Sequence, residues 1–145
     1  MISLSEELRL QIIKEGEKAY PYECCGLILG SVDGDKKLCI SLIPINNSRE
    51  GEDRLRRFVI EPSDFLKAET KAARLGQDIV SVYHSHPDHP AKPSQYDLDN
   101  ALPFYSYLIL EVAKGSAGAL TSWLLQKDRS AFTQEELITL GDSTR

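Results

Sequence analysis

Apolar residues near the start of the chain recur at every fourth position, at Leu4, Leu8 and Ile12. This spacing places their side chains on one face of a helix. The segment Ser3–Glu6 has the Ser-x-x-Glu spacing of a capping box, which typically begins a helix. We therefore predict a helix from Leu4 to Tyr20.

Later segments are rich in β-branched and aromatic residues, which favour strands. The polar segment Asn46–Arg56 predicts a loop, and the turn Asp33-Gly34-Asp35 predicts a hairpin. We expect a second helix from Pro62 to Gly76 and a short third helix from about Ser94. Helices beside a mixed, partly antiparallel sheet place the fold in the α/β (α+β) class. The predicted strands are Cys25–Leu29, Lys37–Ile45, Arg57–Glu61, Ile79–His84, Tyr105–Val112, Leu120–Gln126 and Ser130–Leu137.

Composition narrows the classes of protein to consider. The chain has 145 residues, of which 41% are apolar and 27% are charged. This is typical of one globular domain, here residues 1–145. Acidic residues outnumber basic ones by 22 to 17, a net charge of −5. Because nucleic acids and anionic membranes bind basic surfaces, we expect neither as a partner.

The N-terminus and the cysteines indicate the compartment. Glu6 and Glu7 lie where a signal peptide would carry basic and then apolar residues. Three cysteines, Cys24, Cys25 and Cys39, are an odd number, and two of them are adjacent. This does not indicate a disulfide framework. We expect a reduced, cytoplasmic protein whose oligomeric state the sequence does not determine.

All three histidines of the chain, His84, His86 and His89, lie within six residues. Side chains alternate along a strand, so His84 and His86 are expected to point to the same face. Imidazole is a common zinc ligand, and two neighbouring imidazoles supply half of a tetrahedral site. By itself, a His-x-His pair is a weak indication of metal binding.

Ser94 and Asp97 follow at the start of the predicted third helix. Asp97 is a candidate oxygen ligand for the same ion. Two histidines and one carboxylate leave a fourth zinc position for water, which is the catalytic arrangement. Zinc lowers the pKa of such a water from about 15.7 to about 7. Taken alone, however, Ser94 and Asp97 are better explained as a helix-capping pair.

A reaction at such a site also needs a group that accepts a proton. The candidate is Glu23, which lies between Pro21 and the apolar run Cys25–Gly30. Taken alone, a carboxylate at the start of a strand is more often solvated than catalytic.

Together these residues resemble the JAMM/MPN metalloprotease family. Its pattern is a Glu at the start of an E-x-C-G-L-like strand, then H-[ST]-H-P and then S-x-x-D. This chain reads PYECCGLILG at 21–30 and HSHPDHPAKPSQYD at 84–97. FVIEPSD at 58–64 and SWLL at 122–125 also look like family segments. The resemblance covers nearly the whole chain.

The resemblance implies a cytidine-deaminase-like core and a zinc metallopeptidase. It implies that His84, His86 and Asp97 bind zinc and that Glu23 acts as general acid/base. By the same resemblance, Ser94 helps to hold the oxyanion of the tetrahedral intermediate. The implied reaction is hydrolysis of the amide or isopeptide bond after the C-terminal Gly-Gly of a ubiquitin-like or sulfur-carrier protein.

Three other classes of protein differ from this one in the residues or domains that they require. A non-catalytic MPN-type scaffold is expected to have lost metal ligands, and none is missing here. A phage-tail-type peptidase stays an alternative, although we expect a peptidase of that type to be joined to a cell-wall hydrolase domain. A zinc nucleoside deaminase needs H-x-E followed by P-C-x-x-C, and neither motif is present.

Three expectations concern the surroundings of the site. An extended tail ending in glycine should enter the site beside the strand that carries His84 and His86, and it should pair with an exposed strand edge there. The polar segment Asn46–Arg56 should order over that tail. His89 should be a solvated loop side chain. Cys25 shares strand parity with Glu23 and is interpreted as a core residue, as is Cys39, whereas Cys24 should face the other way.

Overall fold

The computed structural model describes residues 1–47 and 58–141. The strands in this part of the chain are β1 (Ile2–Ser5), β2 (Cys25–Asp33), β3 (Lys36–Ile45), β4 (Asp78–Pro87), β5 (Ser106–Ala113), β6 (Ser116–Leu125), β7 (Phe132–Glu135) and β8 (Leu137–Leu140). The helices are α1 (Glu6–Ala19), α2 (Pro62–Leu75) and α3 (Gln95–Asn100). The predicted α+β class is confirmed.

The strands form one mixed sheet in the order β7-β6-β5-β4-β2-β3-β1-β8. β2 runs antiparallel to both β3 and β4, whereas β4 runs parallel to β5. β7 and β8 stand at opposite ends of this order, yet only Glu136 separates them in the chain. The sheet is therefore strongly curved, and its two edges lie next to each other.

The two longer helices pack on opposite faces of this curved sheet. α1 contacts β1, β3, β5, β6 and β8. Because strands from both ends of the order reach it, α1 fills the concave side, where Leu8 and Ile12 join the larger core cluster. α2 packs on β2 and β4 from the other side, where Ala68 meets Leu27 and Val82.

The start of the first helix differs from the prediction. Residues Ile2–Ser5 form β1, which pairs in parallel with β3 and β8, and Ile2 and Leu4 are fully buried there. The N-cap of α1 is Ser5 rather than Ser3, since the Ser5 hydroxyl accepts the N–H of Leu8 at 3.1 Å. β8 lies at the other end of the described chain, so local spacing carried no sign of this pairing.

Two other segments also differ from the prediction. The described part of the predicted strand Arg57–Glu61, residues 58–61, is not a strand. Its Phe58 and Ile60 instead pack against the core on the α2 side, which explains their apolar character. The predicted strand Ser130–Leu137 is interrupted at Glu136; it contains all of β7 and only the first residue of β8.

The remaining expectations concern a loop and membrane spans. Of the predicted loop Asn46–Arg56, only residues 46 and 47 belong to the described part, and they lie outside helices and strands. The expectation that this loop covers a substrate tail therefore falls outside the described residues. Within the described ranges, no helix has both the length and the apolar character needed to cross a bilayer.

Candidate metal centre and active site

β4 carries His84 and His86 on the face of the sheet that α2 covers. Side chains alternate along the strand, so both imidazoles share a face with Val82, and each histidine is only 1% exposed. The predicted same-face arrangement is confirmed. β2 and β5 flank β4, which gives the two imidazoles a rigid backbone support.

The same pairing leaves β4 without a free edge near the histidines. His84 lies opposite Cys25 of β2, and the pairing with β5 extends to Pro87. The expectation that a substrate tail pairs with an exposed edge of this strand is therefore wrong. A central strand already has its backbone groups bonded to its neighbours on both sides.

Three potential ligand atoms converge at the end of β4. The Nε2 atoms of His84 and His86 lie 3.1 Å apart. The Oδ2 atom of Asp97 lies 3.2 Å from the first of these nitrogens and 3.1 Å from the second. A tetrahedral zinc with bonds of about 2.0–2.1 Å places its ligand atoms about 3.3 Å apart. The three atoms thus have the spacing of three corners of a zinc site.

The first turn of α3 places Asp97. The Ser94 hydroxyl accepts the N–H of Asp97 at 3.1 Å, and Asp97 Oδ2 accepts the N–H of Ser94 at 2.9 Å. This reciprocal capping box confirms the capping pair predicted from the sequence. The same Oδ2 atom also faces both histidines, so capping and metal binding are compatible roles for Asp97.

The hydrogen bonds of His86 define which of its nitrogens is protonated. Nδ1 lies 2.8 Å from the carbonyl oxygen of Pro90. A carbonyl only accepts, so Nδ1 carries a proton, and Nε2 presents a lone pair whenever the ring is neutral. That lone pair faces the carboxylate of Asp97 in a buried site, and such a contact requires a proton or a cation. The donor set therefore fits a metal ion.

Glu23 lies directly across from His86. Cys25 pairs with His84, and the backbone N–H of Ser85 donates to the carbonyl of Cys24 at 3.1 Å. Continuing this antiparallel register by one residue brings Glu23 opposite His86. Glu23 is only 3% exposed, and its Oε1 atom has no hydrogen-bond partner among the described residues.

The pKa values of the two buried carboxyl groups of the site are shifted in opposite directions. Burial raises the pKa of Glu23 to about 8; His86 acts against this rise and Asp97 adds to it. Burial also acts to raise the pKa of Asp97, but His84, His86 and the Ser94 N–H outweigh it and hold that pKa well below its usual range. The site thus combines a candidate ligand that is ionised at neutral pH with a carboxyl group whose pKa is raised.

Residues 5–126 match the family described as prokaryotic homologs of the JAB domain. The chain belongs to this family. The JAMM/MPN relationship predicted from the sequence is thereby confirmed.

Two curated relatives each match this JAB protein over about three quarters of its length. A desampylase of Haloferax volcanii is 29% identical over 113 residues, which are 74% of this chain and 78% of the relative. A probable TtuB-protein conjugate cleaving protease of Thermus thermophilus is 31% identical over 106 residues, 73% of this chain. That match spans 64% of the Thermus protein, less than two thirds of its length.

Solved structures share the fold of this JAB domain. A protein from Desulfitobacterium hafniense superposes with a TM-score of 0.85 at 29% identity, covering 98% of this chain and 94% of that one. A JAB1/MPN domain protein from Archaeoglobus fulgidus gives a TM-score of 0.59 at 21% identity, covering 95% and 99%. The second likeness shows the fold alone.

His89 differs from its expected environment in the JAB domain. It is half-buried, and its ring stacks on that of His86 with centroids 4.1 Å apart and planes at 16° to each other.

The cysteines agree with the prediction: Cys24 packs in the core on the α1 side, and Cys25 is fully buried. Burial raises the pKa of both thiols, which keeps them protonated and unreactive.

The sequence did not reveal two neighbours of the histidines. Phe58 stacks on His84 with centroids 4.5 Å apart, and Pro90 supplies the carbonyl that orients His86. Phe58 is distant in the chain, and a backbone carbonyl has no residue signature. The proline-rich segment between β4 and α3 was the one available sign of a fixed backbone there.

A cavity of about 300 Å³ opens beside Asp97. Its walls are mainly aromatic and apolar, and they include Phe58, Phe65, Tyr96 and Tyr107. An apolar cavity with a polar group at one end is typical of a ligand-binding site. The JAB domain therefore has room for a substrate group next to the candidate metal ligands.

Proposed function

We propose that this JAB protein is a zinc-dependent isopeptidase. Its substrate would be the amide bond after the C-terminal Gly-Gly of a ubiquitin-like or sulfur-carrier protein. The convergence of His84, His86 and Asp97 beside the buried Glu23 carries this proposal. The relatives named a desampylase and a TtuB-protein conjugate cleaving protease support the substrate class.

The donor set favours zinc among the common divalent ions. Two imidazoles and one carboxylate are the three protein ligands of many catalytic zinc sites, and the fourth position stays open. Mg²⁺ and Ca²⁺ instead prefer sites made of oxygen atoms. When bound, zinc polarises the substrate carbonyl and lowers the pKa of a water molecule.

Glu23 is the proton-transfer group of the proposed reaction. Its carboxylate lies beside His86, and its buried Oε1 atom has no hydrogen-bond partner among the described residues. In its ionised form it accepts a proton from the attacking water, and in its protonated form it donates to the leaving amine. Burial raises the pKa of this carboxyl group, which favours the protonated form that the leaving amine needs.

Ser94 is the proposed oxyanion donor. Its hydroxyl oxygen accepts the N–H of Asp97, while the hydroxyl proton has no protein acceptor among the described residues. A hydroxyl accepts and donates at the same time. Ser94 can therefore cap α3 and also donate to the oxygen that becomes negative in the transition state.

Ser94→Ala is expected to lower kcat by about 10²–10³-fold with little change in KM, because an oxyanion donor acts mainly in the transition state. The variant should also lose about 1 kcal/mol of stability with the cap. Steady-state kinetics and thermal unfolding measure the two effects. Ser5→Ala is the matched control, since it removes the α1 cap alone. Equal loss of stability in both variants with unchanged kcat would make Ser94 only a cap.

The substrate class is tested with a tail variant. A ubiquitin-like sulfur carrier is joined through its terminal Gly-Gly to a lysine of a reporter, and the matched substrate carries Val-Val. Glycine lets the tail backbone approach the site without a Cβ. We expect Val-Val to be cleaved at least about 10²-fold more slowly, since a misplacement of about 1 Å can cost that much.

Product formation is followed by gel electrophoresis, with a chelator and with zinc added back. Chelation should stop the cleavage, and zinc should restore it. Cleavage of both tails at one rate would indicate a general peptidase. No cleavage of either tail would favour a partner-binding scaffold.

A further inference from the structure

The proposed reaction makes no use of His89. Its ring stacks on His86 at a centroid distance of 4.1 Å. One nitrogen of His89, one carboxylate oxygen of Glu23 and one nitrogen of His86 all lie within 4.8 Å of one another. A second group of metal-binding side chains thus adjoins the first one.

Two of these three side chains take no part in the first ligand set. His86 Nε2 faces His84 and Asp97, and His86 Nδ1 lies against the Pro90 carbonyl. His86 therefore has no ring nitrogen left for a second ion. Glu23 and His89 do not belong to that first ligand set, and Glu23 Oε1 is a buried atom without a partner among the described residues.

We propose that Glu23 and His89 form a second, weaker transition-metal site beside the first. An imidazole with a carboxylate selects ions such as zinc over magnesium or calcium. Neighbouring divalent ions about 3.5–4 Å apart are common in metallohydrolases. Two protein ligands bind more weakly than three, so this site fills only at higher zinc concentration.

Occupation of the second site inhibits the enzyme. A cation bound by the Glu23 carboxylate occupies the oxygens that accept the proton of the attacking water. Zinc would thus activate the protein at one equivalent and inhibit it in excess. The inhibition rests on the proposed function, whereas the binding of a second ion does not.

Binding is measured by equilibrium dialysis against increasing free zinc, with elemental analysis of the protein. The wild-type protein should bind one zinc tightly and a second one in a separate, weaker step. His89→Ala should weaken the second step at least about tenfold, because even residues that only support a ligand contribute about 10–100-fold. Lys92→Ala, which removes an exposed side chain of the same loop, should keep both steps.

Inhibition is measured with the Gly-Gly substrate, each variant relative to its own rate at one equivalent of zinc. The inhibiting zinc concentration should rise at least about tenfold in His89→Ala, in parallel with the dialysis result. Uptake of a single zinc by the wild-type protein would overturn the proposal. An unchanged second step in His89→Ala would do so too, since it would place the second ion elsewhere.

If His89→Ala weakened the binding of the first zinc ion and left the second step unchanged, the proposal would also be overturned. His89 would then only hold the His86 ring in place by stacking. Two zinc-binding steps without cleavage of any tested substrate would contradict the proposed function but would still support the second metal site. The two proposals therefore fail in distinguishable ways.

Discussion

Glu23→Gln is expected to keep its zinc and to lose about 10²–10⁴-fold in kcat. Glutamine has the shape of glutamate but cannot accept a proton from water. Glu23 is not one of the three converging ligands, so the zinc content should remain near that of the wild-type protein. Single-turnover cleavage of the Gly-Gly substrate, with zinc determined on the same sample, measures both quantities.

Glu15→Gln is the matched control for this substitution. Glu15 lies on α1, on the opposite face of the sheet, where it accepts the Tyr83 hydroxyl at 2.8 Å. Burial raises its pKa as well. This variant therefore tests the loss of a half-buried carboxyl group remote from the proposed metal ligands, and it should keep its activity. Full activity of Glu23→Gln would require a different base.

The double variant His84→Ala/His86→Ala is expected to lose both its zinc and its activity. Removal of two of three protein ligands should weaken zinc binding more than about 100-fold, since even supporting residues contribute about 10–100-fold. Elemental analysis after dialysis and the cleavage assay measure the two losses. Full zinc retention in the double variant would place the ion elsewhere.

Asp97→Asn distinguishes loss of a ligand from loss of the fold. An asparagine oxygen can still accept the N–H of Ser94, so the cap of α3 should persist. The neutral amide is a poorer zinc ligand than the carboxylate, so zinc affinity should fall without a large change in thermal unfolding. If the zinc affinity of Asp97→Asn equalled that of the wild-type protein, Asp97 would act only as a capping residue.

Prediction from the sequence succeeded where neighbours along the chain decide the geometry. The alternation of β4 makes His84 and His86 face the same way wherever that strand lies in the sheet. The spacing of Ser94 and Asp97 likewise specifies a capping box, because the first helical turn alone brings those two groups together.

Prediction failed where a distant partner decides the conformation. Leu4 has helical spacing to Leu8 and Ile12, yet it lies in β1 because β3 and β8 pair with that segment. Phe58 and Ile60 alternate as in a strand, yet they pack against the α2-side core without joining the sheet. Local periodicity cannot tell these cases apart, since burial against distant residues outweighs intrinsic preference.

The sequence by itself determined the family, the α+β class and which residue types could hold a metal ion, because short motifs and local spacing carry that information. Only the tertiary structure decided that Glu23 lies across from His86, that β4 has no free edge and that His89 stacks beside the proposed base. These relations depend on sheet register and on the path of the segment after β4. Register is established by pairing between segments remote in the chain, so no local pattern specifies it.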